Sequence, residues 1–254
     1  MPLHVVLGRR TGLEGQVTPE DVGLALRERR IEVRTSRPTP AELSAAYRAT
    51  GARSVVSVHL SAALSGTVDA ATLAAREVAG EGIEVHVVDS RTIAMGLGFA
   101  AVAAARAAAA GAGLVQVAQT ALEAAAGTVL YVYVDTLEHL RRGGRIGAAA
   151  ALLGTALAVK PVLRVTGGVL VPLEKVRTST RALQRLEELA VAQAGGRPVE
   201  LAVHHLQAPE RAAVLVAGLR ARLPGLRALH LSEVSAAVGA HVGPGCVGVV
   251  VSQP

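Results

Sequence analysis

Four short stretches of the 254-residue chain place hydroxyls, an acid or an imidazole at points where the chain changes direction. They are Thr35-Ser36-Arg37-Pro38-Thr39-Pro40, then Ser61 to Thr67 (SAALSGT), then Asp89-Ser90, and finally His241 in Ala-His-Val-Gly-Pro-Gly. In the second stretch Ser65 is suited to cap a helix, with Gly66 and Thr67 in its first turn. The free backbone N–H groups of such a turn, at the positive end of the helix dipole, form an anion site. Three hydroxyl-rich strand ends and the turn histidine His241 would, if they converge, suit an acidic head group, with Ser61 supporting the cap one turn earlier. Covalent chemistry is less well provided for: no nucleophile with an adjacent base is evident, and no triad can be assembled around Asp89-Ser90 from sequence alone. The glycine-rich run Arg141 to Gly147 (RRGGRIG) follows a helix and lacks the lysine and hydroxyl of a nucleotide phosphate loop.

These residues must be positioned by the elements around them, and the pattern alternates β and α. Residues 52–60 read as a strand, 64–79 as a helix, 82–90 as a strand, 96–111 and 114–127 as helices, and 128–136 as a strand. That alternation predicts a parallel sheet, whose strand ends are where α/β folds place ligands. From residue 136 the pattern changes. Two short helices joined at Gly143-Gly144 are expected over 136–157, then a hairpin turning at Gly167-Gly168. Helices over 178–195 and 208–223 alternate with strands over 198–206 and 226–234. A turn, 236–245, leads into a last strand over 246–252. The expected architecture is α/β with two domains: a parallel-sheet α/β domain over 1–135 and an α+β domain over 136–254.

Composition narrows the function classes. The formal charge of +6 is carried mostly by arginine, scattered along helices, and four aromatic residues offer little for stacking bases, so nucleic acid is not the expected partner. No His/Cys spacing suggests a metal site, and Cys246, the single cysteine, cannot form an internal disulfide. A reducing cytoplasm is therefore the expected setting. Uncharged stretches fall short of the roughly 20 residues a spanning helix needs, and no secretory leader is read at Met1. At most a transient contact with a membrane surface is expected.

Several stretches in this order and spacing resemble the DegV family of bacterial fatty-acid-binding proteins: TSRPTPAEL, SVHLSAALSGTVDAA, HVVDSRTIAMGLG, VDTLEHLRRGGRIGAAAALLGTALAVKPVL, the Gly-Gly hairpin with PLEKVRT, and AHVGPG. The resemblance implies a DegV-like two-domain fold and no catalysis or cofactor of its own. It implies a long-chain fatty acid in an apolar tunnel, with the carboxylate held by Thr35, Ser65, Gly66 and His241. The acid would be presented to a partner fatty acid kinase, for use in phospholipid metabolism. Met95 and Phe99 are expected to shape the tunnel, along with the aliphatic run over 148–159. Arg145 and Arg177 are expected near the head group or on the kinase-facing surface. In the family a further strand and a Thr-Asp-Ser loop usually precede the segment matching Met1 to Val6; a start assigned too far downstream and a variant lacking that strand are both consistent with this. Two rivals stand beside this reading: a small α/β hydrolase or acyl transferase using Ser65 or Ser90, and a non-binding regulatory member of the family.

Overall fold

The computed structural model describes residues 1–28, 31–152 and 160–253. The first strand, β1 (His4–Leu7), pairs antiparallel with β2 (Arg10–Leu13). Helix α1 (Pro19–Arg27) then leads to β3 (Val33–Ser36), which pairs with the other edge of β1. Helix α2 (Pro40–Ala49) follows immediately. Both helices start the same way: Thr18 and Thr39 cap reciprocally with Asp21 and Glu42, and a proline occupies the first turn. Proline fits there because its φ is already helical and the missing N–H is one the helix could not use. The loop 37–39 is thereby pinned between a strand end and a capped helix start.

Strand β4 (Ser54–His59), helix α3 (Thr67–Ala79) and strand β5 (Glu84–Asp89) form a βαβ unit, and its two strands pair in parallel with His59 opposite Asp89. Helices α4 (Met95–Ala109) and α5 (Leu114–Ala126) come next. The strand after them, β6 (Thr128–Tyr133), departs from expectation. It does not extend the parallel pair but joins a second sheet. Two helices in succession return the chain instead of making the single-helix crossover that a parallel neighbour requires. Period and composition predict a strand over 128–136 without selecting its partners; the observed strand ends at Tyr133.

That second sheet is six-stranded and mixed. After α6 (Glu138–Arg142) and a 3-10 segment at Gly147–Leu152 come β7 (Lys160–Thr166) and β8 (Val169–Val176), joined through Gly167 and Gly168 at φ +60° and +87°. Two consecutive positive φ values are what the tight hairpin turn demands. Helix α7 (Ser179–Ala194), β9 (Val199–His205), α8 (Pro209–Arg222), β10 (Leu226–Glu233), α9 (Ala236–Val242) and β11 (Val247–Ser252) complete the chain. The strand order is β10-β9-β11-β6-β7-β8, with β6 antiparallel to both β11 and β7. A division at residue 135 thus falls between β6 and both of its sheet neighbours.

The expected turn over 236–245 begins as helix α9. Ser235 caps it by accepting from the Val238 amide, and Gly243 ends it at φ +76°. The second of the two expected short helices is the 3-10 segment as far as Leu152; the rest of that expectation, and most of the 148–159 tunnel wall, lies outside the described residues. One large core cluster joins α7 and α8 to one face of the mixed sheet. Another, including Ile93, Leu140, Leu163 and Val242, fills the opposite face. Among the described residues no helix is long and apolar enough to cross a membrane.

Candidate functional site

A cavity of about 670 Å³ opens where the end of β3, the start of α3, the entry to α4, helix α6 and helix α9 meet. Its volume lies within the roughly 300–1,000 Å³ usual for small-molecule sites. Leu60, Leu64, Ile93, Leu97, Leu140 and Leu170 give it a largely aliphatic wall. Polar groups gather on one side: Thr35, Ser36 and Arg37 from the pinned loop, Ser65 and Gly66 before α3, His241 from α9 and Arg145.

Each group is set by local structure. Thr35 is the penultimate residue of β3, opposite Val5 of β1. Its hydroxyl lies 2.9 Å from His241 Nε2. His241 and Ala237 are one helical turn apart on α9, and both line the cavity. The Ser61 carbonyl accepts from the Leu64 and Ser65 amides, and its hydroxyl accepts from Ala63 N, closing the turn that delivers Ser65. Ser61 itself is 1 % exposed and does not line the cavity. Ser65 is not the cap: Gly66 is, without a side-chain hydrogen bond. The Ser65 hydroxyl, one residue further out, has no partner among the described residues. Ala94, at φ +53° and ψ −137°, turns the chain into α4 so that Ile93 and Ala94 both face the cavity. A non-glycine residue held there carries about 1–3 kcal/mol of strain, the kind that collects at ligand sites.

Electrostatics sharpen the roles. Burial, with the Arg145 charge adding to it, lowers the His241 pKa to about 4. The ring is therefore neutral near pH 7 and serves as a hydrogen-bonding group, not as a charge. Its Nδ1 is buried without a partner, against Gly143, where a Cβ would overlap it. Arg145 donates from Nε to Leu64 O at 2.9 Å and from Nη1 to Gly143 O at 2.6 Å, tying the glycine loop after α6 to the Ser65 turn.

The structure brings together Thr35, Ser65, Gly66, His241 and Arg145. Asp89 and Ser90 turn away: Asp89 accepts from the amides of Ala62 and Arg91, and Ser90 is buried with Thr92. Phe99 lies in the core cluster beneath the cavity and Met95 packs against that cluster, while the neighbouring Leu97 reaches the lining. Arg177 follows the end of β8 opposite the Gly167-Gly168 turn, seven residues from Leu170, or roughly 23 Å along an extended strand. Sequence reasoning missed Arg37, whose guanidinium lies over Gly66. Pro38 and Pro40 mark the loop after it but carry no signal of where the arginine reaches. It also missed the Ser57–His59 contact of 2.7 Å, which lies outside the cavity and whose serine accepts from Tyr47. Burial pushes the Cys246 thiol up to about 12, which leaves it inert as a nucleophile.

Comparison with known proteins gives a consistent match. The family model for DegV matches residues 1–253. A DegV domain-containing protein of Streptomyces coelicolor is 55% identical over 257 residues, spanning 100% of this chain and 90% of its own length. Among solved structures, a DegV family protein of Thermus thermophilus, described for its fatty acid binding, superposes with a TM-score of 0.93 at 30% identity, covering 100% of this chain and 91% of the other. DegV of Bacillus subtilis, described as a fatty acid binding protein, gives 0.90 at 32% identity over the same shares.

Proposed function

The chain belongs to the DegV family, and from that membership we propose that it binds one long-chain fatty acid in the 670 Å³ cavity and presents the carboxylate to a partner fatty acid kinase. The observation that supports this most directly is an aliphatic cavity with its hydrogen-bond donors gathered at one side.

The two ends of such a ligand pose opposite problems. About fourteen methylenes at about 0.8 kcal/mol each offer on the order of 11 kcal/mol of gross transfer energy, before association costs. The aliphatic wall collects that energy. The carboxylate must exchange water for donors, since burying an unpaired ion is expensive. Ser65 Oγ–H and the Gly66 amide donate to one side of it. On the other side the Thr35 hydroxyl donates, while accepting a hydrogen bond from His241. That relay needs the imidazole proton on Nε2. With Nδ1 held against Gly143 and away from any acceptor, a proton there would be an unsatisfied buried donor, so the Nε2 tautomer is favoured.

The protein then does no chemistry alone. A base with a pKa of about 4 is poorly matched to removing a hydroxyl proton at neutral pH, so the Thr35–His241 pair serves binding. The kinase would phosphorylate the carboxylate at the polar mouth while the tail stays shielded. Ser61 sets the turn and Phe99 and Met95 back the wall from behind.

Extraction of the purified protein followed by mass spectrometry tests this. One equivalent of a long-chain acid per chain is expected. An empty protein that takes up neither palmitate nor oleate would overturn the reading. Adding a fatty acid kinase with nucleoside triphosphate, and trapping with hydroxylamine, should yield the hydroxamate of the bound acid only when both proteins are present.

A further inference from the structure

We infer that His204, which lies outside the cavity, is a positioning residue for it: its ring holds the start of α4 and, through that, the wall formed by Ile93, Ala94 and Leu97 that faces the acyl tail. What the wall receives rests on the fatty-acid reading above; the hold on α4 does not.

Helix α4 begins without a cap of its own. Its N-cap is Ala94, which has no side-chain acceptor to offer and sits at φ +53° and ψ −137°. The first amides of a helix have no partner within it, and here the turn that leaves them open is also strained. His204, reaching across from β9, supplies what Ala94 lacks: its Nε2 accepts from the Met95 amide at 3.4 Å. Ile93, Ala94 and Leu97, on either side of that amide, all line the cavity. His204 itself is 8 % exposed and does not.

The hydrogen bonds fix the tautomer. An amide only donates, so Nε2 must present its lone pair and the ring proton must sit on Nδ1. From there it donates to the Ser232 hydroxyl, 3.0 Å away on β10, in the residue directly opposite His204 in the strand register. Both ring nitrogens are thereby used, and the ring is fixed between the edge strand of the mixed sheet and the helix. The ring must also be neutral, because a protonated one would set a donor against the Met95 amide and a charge against the positive end of α4. Its surroundings keep it so. Burial, with the charges of His205 on β9 and His230 on β10 adding to it, lowers its pKa to about 4. From α4 the facing groups are the Met95 amide and Phe99, whose ring lies 6.1 Å from that of His230. The carboxylate of Glu233 serves His205 instead, 3.6 Å from its Nδ1.

Nitrogen-15 spectra of the wild-type imidazoles give the first test and need no variant. Near pH 7 His204 should show the Nδ1–H tautomer, opposite to the Nε2–H form of His241; an Nε2–H form at His204 overturns the proposal. The second test pairs palmitate titration with hydrogen exchange at the Met95 amide, on delipidated protein. His204→Leu removes the acceptor and should speed that exchange about tenfold and weaken palmitate about fivefold, the scale of one hydrogen bond. His204→Gln, whose side-chain oxygen reaches as far as Nε2, should bring both back to within about twofold of wild type. If His204→Leu fails to fold, His204→Asn, whose amide is too short to reach Met95, takes its place with the same expectations. A side chain that only filled the core would alter unfolding and leave affinity where it was. Unchanged palmitate binding in the acceptor-less variant therefore overturns the proposal, as does a glutamine variant equally weak. If wild type binds no palmitate, the fatty-acid reading falls, and the tautomer with Met95 exchange in the same variants upholds or overturns the hold on α4.

Discussion

The residues that matter most here are those with hydrogen-bonding capacity left over. The Ser65 hydroxyl has no partner among the described residues, and nothing in the fold requires it, because Gly66 is the N-cap of α3. Ser65→Ala should therefore leave thermal stability unchanged while weakening fatty-acid binding about tenfold or more, the cost of a hydrogen bond to a charged group. Competition against a fluorescent fatty acid measures it; unchanged affinity would remove Ser65 from the site. That Thr35, Ser65, Gly66 and His241 come to line one cavity was legible as a candidate in the sequence, since hydroxyls, glycines and a turn histidine at strand ends and helix starts have few structural duties that exclude a ligand. Arg37 was not legible, because an arginine beside two prolines gives no sign of which neighbour its long side chain will reach. Met95 and Phe99 show the opposite limit. Apolar period places them on a helix, but whether a side chain meets the cavity or the core behind it depends on how the helix is rotated in the packed molecule.

Elements set the site by where they end. The α3 entry hangs on the turn closed by Ser61, and the hairpin of β7 and β8 approaches that turn through Gly168. Gly168 has φ +87°, and a Cβ there would overlap the Ser61 hydroxyl. Gly168→Ala should destabilise the protein by about 1–3 kcal/mol, and by disturbing the Ser61 turn it should also weaken ligand binding. Denaturant unfolding and a ligand titration on one preparation check the pair; a loss of stability with intact affinity would show that the hairpin does not help set the turn. Most elements could be read from period and punctuation, including the Gly167-Gly168 hairpin. The partner of β6 could not. Strands with both faces buried carry no alternation to orient them, and β6 has Leu130 to Tyr133 all buried. Helix α9 was read as a turn because glycine and proline dominate its C-terminal flank, while the Ser235 cap that starts it lay just outside the stretch singled out.

At the scale of the molecule, burial of histidines couples the fold to pH. His59, His204 and His241 all have pKa values lowered to about 4, chiefly by burial. In the unfolded chain each titrates near 6.5. Between those values the unfolded state binds protons that the folded state does not, so stability is full above about pH 6.5 and falls as pH drops towards 4. Unfolding near pH 5 should take up about three protons from these side chains, measurable as the slope of unfolding free energy against pH; a flat profile from pH 7 to 4.5 would contradict it. A bound carboxylate beside His241 should oppose part of this loss. The same cavity is lined from the segments after the parallel strands β4 and β5, from the end of β3 and from helix α9, so ligand and fold report on each other. Carbon-13 NMR of palmitate labelled at its carboxyl carbon, bound to the delipidated protein and titrated with acid, tests the central claim most directly. The account predicts one protein-bound resonance whose carboxylate stays ionised below the ordinary carboxyl value of about 4.3, because hydrogen bonds to the charged form hold it there. A missing bound resonance, or a carboxyl that titrates at or above that value, would contradict it.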